Sequence, residues 1–309
     1  MRPDIVIYHG NCADGFTSAW VFKQKFGEDG IEYYAATHGS IPPSVKGKNV
    51  FILDFSYKRK ILEDMASDAN SLIVIDHHIS AQSDLNESSL QNIINANFNI
   101  NDYLACGESN SGMTLFDMSR SGAGMAWDFC FPEEERPKIV DFVEDRDLWK
   151  FEIEGSREIA SLIFSHDYNF NNWDKLNNSI NENTEKCFAF GMAINKKMDK
   201  DISELIKQCK RPMVIGGHVV PVANIPYTMA SDAGNIMASQ EFHSPVVGDM
   251  IMPEFAACYY DTSRSRVFSL RSLKGGADVS RIASSYGGGG HKNASGFRMD
   301  IGWEGDSHI

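Results

Sequence analysis

The chain has 309 residues, 29 Lys and Arg against 42 Asp and Glu, a formal net charge of −13 and 42% apolar residues. That length corresponds to two domains at the usual ~100–200 residues each, and the acidic balance excludes a protein that wraps long duplex nucleic acid by counterion release. No stretch reads as a membrane span or secretory signal, and the six cysteines (Cys12, Cys106, Cys130, Cys187, Cys209 and Cys258) show no Cys-x-x-Cys or zinc-type spacing, as expected of a reduced cytoplasmic protein.

Ile5-Val6-Ile7-Tyr8 is an apolar run ending in His9, and it reads as a buried strand. Gly15 to Phe26 is the first predicted helix, its free N-terminal N–H groups placed to help hold a phosphate. Val50-Phe51-Ile52-Leu53 is a second run, ending in Asp54 and followed by a helical pattern from Tyr57 to Ala69. Leu72-Ile73-Val74-Ile75 is a third, ending in Asp76-His77-His78. Apolar runs alternating with helices predict an α/β fold on a mostly parallel sheet. Ser109 to Gly112 and Ser119 to Gly124 read as loops flanking a packed helix around Met125 to Phe129, with Arg120 read first as a surface arginine and second as a phosphate contact.

Asp141 to Trp149 reads as an acidic helix end in which Phe142, Val143, Leu148 and Trp149 bury a face beside the carboxylates. Asn169 to Asn183 is Asn-rich and low in aliphatics and reads as a loop. Lys186 to Lys210 has the apolar spacing of a long helix that Pro212 stops, which predicts a domain over 1–185, a helical linker over 186–210 and a smaller α/β domain over 211–309. In that second domain Met213 to Ile215, Val219 to Ile225, Phe255 to Tyr260 and Val267 to Arg271 read as extended. Ser231 to Ser239 and Asp278 to Ser285 read as helices, the latter running into the glycine run from Gly287.

Strands of an α/β sheet bind ligands outside their carboxyl ends, and here those ends carry His9, Asp54 and Asp76-His77-His78. The physical demand this set fits is a divalent-metal site for phosphate-ester hydrolysis. Carboxylates suit hard cations and imidazoles suit first-row transition metals, so a mixed set points to Mn²⁺ or a relative. Two ions about 3.5–4 Å apart clamp both oxygens of an in-line displacement, and Asp54, alone at its strand end, is the candidate bridge. Arg271 and the loop Gly288-Gly289-Gly290-His291-Lys292 are candidates for binding substrate, since glycine lets backbone amides approach an anion closely.

His9-Gly10-Asn11-Cys12-Ala13-Asp14-Gly15, Leu53-Asp54, Asp76-His77-His78 and the Asp145/Asp147 segment resemble, in order, the four motifs of the DHH phosphoesterase superfamily. Gly287 to Phe297 resembles the glycine-rich signature of the associated DHHA1 substrate domain. The resemblance implies His9, Asp14, Asp54, His77 and Asp147 as metal ligands, with Asp145 the alternative to Asp147. It also implies His78 as the histidine that contacts the phosphate or assists the leaving group, and Asp76 as support for an imidazole. Mn²⁺ is the expected cofactor, with Mg²⁺ or another divalent cation as alternatives. The reaction it implies is hydrolysis of small nucleotides or short oligonucleotides in a cleft between two domains, without long-duplex or membrane partners.

One departure stands out: the superfamily usually reads Asp-x-Asp-Gly in its first motif, whereas this chain reads Cys12-Ala13-Asp14-Gly15. Three readings of Cys12 stay open: a soft thiolate ligand, a missing ligand that leaves one metal weakly held, and an inert thiol. One or two ions are therefore expected. The alternatives to a nucleotide phosphoesterase are a polyphosphate or pyrophosphate hydrolase, which wants a more basic channel, and a non-catalytic nucleotide-binding homologue.

Overall fold

In the computed structural model, which describes residues 2–10, 12–37, 39–106 and 112–307, the chain divides into two compact units, Met1–Asn195 and Lys196–Ile309. The predicted loop over 109–111 lies outside the described residues. Among the described residues no helix is long and apolar enough to cross a membrane.

The first unit is an α/β layer structure. Its strands β1 (Ile5–His9), β2 (Glu32–Ala36), β3 (Asn49–Leu53), β4 (Ser71–Asp76), β5 (Gln91–Ile93) and β6 (Met113–Phe116) form one parallel sheet in the order β2-β1-β3-β4-β6-β5. The apolar runs of β1, β3 and β4 exist because both faces of the sheet are covered. On one face Val6, Phe51, Leu53, Ile73 and Ile75 share a core with helices α1 (Ala13–Phe26), α5 (Gly122–Cys130) and α6 (Lys138–Asp147). On the other, Ile5, Ile7, Val50, Ile52, Leu72 and Val74 pack with Leu62 and Met65 of α2 (Arg59–Asp68) and Leu85 of α3 (Ile79–Leu85). Each such fully buried aliphatic contributes roughly 1.5–3 kcal/mol of burial free energy.

Register sets the level at which the strands deliver their polar ends. Tyr8 pairs with Leu53 and Leu53 with Ile75, so the next residue of each strand, His9, Asp54 and Asp76, falls in one row. The chain places β2 on one side of β1 and β3 on the other, and at such a switch point a crevice opens at the strands' carboxyl ends. Gly15, at the start of α1, is required there: a Cβ would lie 2.3 Å from the His9 carbonyl oxygen.

Two segments differ from expectation. Asn169 to Asn183 is not a loop but contains α8 (Phe170–Glu182), whose buried Trp173, Leu176 and Ile180 recur every three or four residues. Asparagine is a poor helix former, yet Asn169 caps the helix by accepting from Asn172 N–H. The helix is pinned to α1 by Trp173 Nε1 donating to Thr17 Oγ1 and by Asp174 accepting from Trp20, Lys23 and Gln24. The predicted loop Ser119 to Gly124 is likewise shorter than expected: Ser121 is the N-cap of α5 and accepts from Gly124 N–H, so Gly122 to Gly124 are already helical. Helices α4 (Ile100–Ala105) and α7 (Ser156–Phe164) complete the unit, and α9 (Thr184–Cys209) begins in it and ends in the next, the division falling between Asn195 and Lys196.

The second unit is α/β with a mixed sheet. Its strands are β7 (Arg211–Ile215), β8 (His218–Asn224), β11 (Ala256–Asp261), β12 (Arg266–Arg271), β13 (Gly289–His291) and β14 (Ala294–Met299), in the order β13-β14-β12-β11-β8-β7. Strands β9 (Phe242–Ser244) and β10 (Asp249–Ile251) form a separate antiparallel pair. Helix α10 (Ala230–Ala238) shares a core with Ile202 and Ile206 of α9, and α11 (Val279–Ser285) shares one with Met213, Phe268 and Phe297.

The α8 assignment is open to test. Asn169→Ala is expected to destabilise the protein by about 1 kcal/mol through loss of the cap, measured by denaturant unfolding. An unchanged midpoint would contradict a helix beginning at Phe170.

Candidate metal centre

The three strand ends meet at Asp54. Its backbone is left-handed, with φ 52°, a conformation costly for a residue with a Cβ, and one that clusters at functional sites. Its Oδ1 lies 3.1 Å from His77 Nε2, and its Oδ2 3.4 Å from His9 Nδ1. The same His77 nitrogen is 3.7 Å from Asp14 Oδ2 and 3.6 Å from Asp147 Oδ2. Four elements, the starts of α1 and of the loop after β4 and the ends of β3 and α6, thus bring four side chains onto one point.

Asp76 is turned to another task. Its Oδ1 accepts from the backbone N–H of His77 at 2.7 Å and of His78 at 3.2 Å, and it lies 2.7 Å from His78 Nδ1. It therefore folds the chain back after β4 and fixes the His78 ring through Nδ1.

Asp14 is held by a helix terminus. Gly122 N–H donates to its Oδ2 at 2.7 Å and Ala123 N–H to its Oδ1 at 2.9 Å, so the first turn of α5 satisfies both carboxylate oxygens. A Cβ at Gly122 would lie 2.5 Å from Asp54 Cβ and 2.9 Å from Asp14 Oδ2, which is why a glycine stands there. The residues of this turn were read only as loop in the sequence; the available signal was a Ser N-cap followed by small residues before an apolar helix. Arg120, by contrast, is committed to Asp117, Asp128 and the Ala96 carbonyl.

The geometry also separates the two candidates of the fourth motif. Asp145 is buried and accepts from Glu152 and Ile153 N–H, winding the loop that follows α6. Asp147, its side chain 27% exposed, is the one beside His77.

Electrostatics follow from this crowding. Burial and then the charges of Asp54 and Asp147 push the Asp14 carboxyl well above its usual range. Burial also pushes Asp54 up, but the imidazoles of His77 and His9 overcome it and leave Asp54 well below that range. Burial pulls His77 down, and its hydrogen bond to Asp54 with the charges of Asp147, Asp54 and Asp14 raise it to about 11. For His78 burial again lowers and Asp76 more than compensates, so the net shift is upward. For Cys12, burial and then Asp54, Asp147 and Asp14 push the thiol well up, making it a neutral thiol at ordinary pH.

Ligand-capable atoms gather within 4.8 Å of one another in overlapping groups: Asp14, His77 and Asp147; His9, Cys12 and Asp54; and Asp54, Asp76 and His78. The buried Asp76 Oδ2 has no hydrogen-bond donor among the described residues, and Asp54 Oδ2 has His9 Nδ1 at 3.4 Å but no well-formed hydrogen bond among them. An acceptor oxygen held out of water without a donor, in a group of carboxylates and imidazoles, fits a divalent cation. Cys12 contributes no side-chain cap to α1, and its sulfur belongs to the second group.

The second unit gathers its own candidates. Arg271 and His291 both pair with Ala294, from β12 and β13 on either side of β14, and Lys292 follows in the turn. Arg271 donates to Ser231 Oγ at 2.7 Å and to the Leu270 carbonyl, with its stem packed where Gly234 of α10 leaves room. The glycine run is a close-packed hairpin edge rather than an open loop: a Cβ at Gly288 would lie 2.1 Å from the Gly296 oxygen, and Gly289 and Gly290 lie in β13.

The crowding around His77 makes a pH prediction. His77 is raised above its unfolded value, so its contribution to stability is complete below about 6.5 and is lost as pH rises through about 11. NMR of the imidazole in metal-free protein is expected to show no deprotonation between roughly pH 5 and 9; a midpoint near 6.5 would contradict the crowding around it.

No family model matches the chain. Over 315 aligned residues it is 31% identical to uncharacterized protein R106 of Acanthamoeba polyphaga mimivirus, covering 96% of this chain and 67% of that protein. Among solved structures it is similar to the DHH domain of a member of a family of ribosomal proteins, with a TM-score of 0.50 at 12% identity, covering 96% of this chain and 82% of that one. It is also similar to an exopolyphosphatase-related protein from Bacteroides fragilis, with a TM-score of 0.51 at 12% identity, covering 98% and 88%. The chain therefore belongs to one family with the mimivirus protein and has the DHH fold, with Asp76-His77-His78 at the end of its fourth strand.

Proposed function

We propose that the protein is a divalent-metal-dependent phosphoesterase acting on small nucleotides or short oligonucleotides, with Mn²⁺ as its preferred ion. The observation that carries this reading is the convergence of Asp14, Asp54 and Asp147 on one histidine nitrogen, beside a buried Asp76 oxygen with no hydrogen-bond donor among the described residues. The proposed ligands are His9, Asp14, Asp54, His77 and Asp147. A divalent cation there supplies a water of lowered pKa and an electrostatic clamp on phosphoryl oxygens.

The chain's own residues do the rest. Asp54 reaches the His77 group through Oδ1 and the His9 and Cys12 group through Oδ2, which supports it as the bridging carboxylate. His78, fixed through Nδ1 by Asp76 and with its pKa raised, is suited to donate a proton to the leaving oxygen or to steady the phosphoryl group. Arg271, His291, Lys292 and the amides of Gly289 and Gly290 are proposed to bind substrate phosphate, whereas the Gly288 amide, a candidate from the sequence, donates instead to the Ala283 carbonyl at 2.9 Å. The net charge of −13 favours small anionic substrates, for which a bound cation and a few placed cationic side chains outweigh the overall field.

Cys12 bears on stoichiometry. The group of Asp14, His77 and Asp147 offers two carboxylates, whereas that of His9, Cys12 and Asp54 offers one carboxylate and a neutral thiol. The second position is accordingly proposed as the weaker.

The direct test is an assay with Mn²⁺, with Mg²⁺ and with chelator against dinucleotides, short RNA and DNA, a 3′,5′-bisphosphate nucleotide, cyclic dinucleotides and polyphosphate. Metal-dependent release from nucleotide substrates is expected; release from polyphosphate alone would overturn the substrate class, and no release would overturn the enzymatic reading. Asp54→Asn is expected to lower turnover more than about 100-fold, beyond the loss typical when only a supporting residue of a metal ligand is removed, with the melting curve showing a folded protein. Cys12→Asp is expected to raise the Mn²⁺ content per chain by elemental analysis; unchanged content would show that Cys12 does not limit the second position.

A further inference from the structure

We infer that Glu144 is a positioning residue for Asp14, acting through the first turn of α5. Glu144 lies on α6, one turn before Asp147, and its hydrogen bonds reach the α5 cap rather than the proposed ligands: its Oε2 accepts from Ser121 N–H at 2.9 Å. Ser121 is the N-cap of α5, and the next two N–H groups, of Gly122 and Ala123, hold the two oxygens of Asp14. Glu144 therefore anchors the cap, and the cap aims the pair of amides that fixes Asp14.

The anchor is itself fixed. Arg136 Nη1 donates to Glu144 Oε1 at 2.9 Å, while Arg136 also donates to both oxygens of Asp128 on α5. Arg120 donates to Asp128 and to Asp117, just beyond the end of β6. The guanidinium of Arg136, just ahead of α6, thus ties that helix to the last turn of α5, and Glu144 ties it to the α5 cap. Gly124 completes the arrangement: a Cβ there would lie 2.1 Å from Glu144 Oε2 and 3.0 Å from Arg136 Nη1, so the glycine leaves the space this carboxylate occupies. Gly122 leaves the corresponding space for Asp14 and Asp54. Two glycines in one helical turn, each helix-weakening on its own, are accounted for by the two carboxylates they accommodate.

The inference rests on the metal-site reading for its functional consequence, but its geometry is measurable without metal. In the full chain, Mn²⁺ alone is titrated by calorimetry, and the Gly122 and Ala123 amides are followed by ¹H–¹⁵N NMR in metal-free protein. Glu144→Ala is expected to lower Mn²⁺ affinity about 10-fold, with both amides shifted and exchanging faster. Glu144→Gln, which keeps an acceptor for Ser121 N–H but loses the one for Arg136 Nη1, is expected to recover part of that loss. Gly124→Ala is expected to displace the carboxylate and reproduce the Glu144→Ala loss, and to add little in the Glu144→Ala background. Unchanged Gly122 and Ala123 signals in a folded Glu144→Ala protein would overturn the inference, as would full additivity of the two substitutions. Absence of Mn²⁺ binding by the wild-type protein would instead remove the metal reading, while the amide signals would still decide whether Glu144 positions Asp14.

Discussion

Everything at the carboxyl end of the first sheet depends on carboxylates gathered at one point, two of them, Asp14 and Asp54, buried from water. Two unit charges about 4 Å apart interact by about 4 kcal/mol at an effective dielectric constant of about 20, so Asp14, Asp54 and Asp147 cannot share a site at neutral pH without compensation. The fold supplies partial compensation from three sources: the imidazoles of His77 and His9, the amides of Gly122 and Ala123, and the terminus of α5 behind them. Burial opposes a charge on His77, but its hydrogen bond to Asp54 and the charges of Asp147, Asp54 and Asp14 raise its pKa and make it the cation of the group. A divalent ion would neutralise the same charge more completely, and the buried Asp76 Oδ2, without a donor among the described residues, is what remains to be satisfied.

The sheet places these groups and the helices hold them. Aligned register puts His9, Asp54 and Asp76 at one level, and the switch of strand order between β1 and β3 opens the edge at which they lie. Close packing is enforced by glycine at the contact points: Gly15 against the His9 carbonyl, Gly122 against Asp54 and Asp14. The stiffness of the fully buried strands is transmitted to the site through residues only one or two positions beyond their ends. Two neighbouring aspartates on α6 divide the labour, Asp145 winding the following loop and Asp147 facing the cluster.

Much of this was legible in the sequence because the buried strands of a parallel sheet are nearly continuous apolar runs, and the residue ending each run is conspicuous. Ile5 to Tyr8, Val50 to Leu53 and Leu72 to Ile75 marked their strands within a residue or so, and they led directly to His9, Asp54 and Asp76. Short strands with mixed exposure, such as β5 with two exposed residues in three, carry too little periodicity to be seen. Helix α8 was missed because its asparagines hide a stripe of only three buried side chains, and its stability comes from Trp173 and Asp174 bonding to α1, more than 150 positions away. The role of the α5 turn was hidden for a related reason. Its contribution is made by backbone N–H groups, which every residue but proline possesses, and the glycines announce only that something lies close.

The glycine run of the second unit teaches the converse. Four consecutive glycines suggest a mobile loop, but Gly288 and Gly290 are pressed against the backbone of β14, so the run is glycine because strands approach there. Arg271 and His291 reach the same level of that sheet from different strands, which a linear reading placed together only through the family resemblance. The central claim remains the cation at the strand ends, and anomalous diffraction at the manganese edge from crystals of the full chain soaked in Mn²⁺ tests it most directly. The expected result is a peak within coordination distance of Asp54, with His77 and Asp14 or His9 among its neighbours. Soaked crystals with no peak there, and His77 still paired to Asp54, would contradict it.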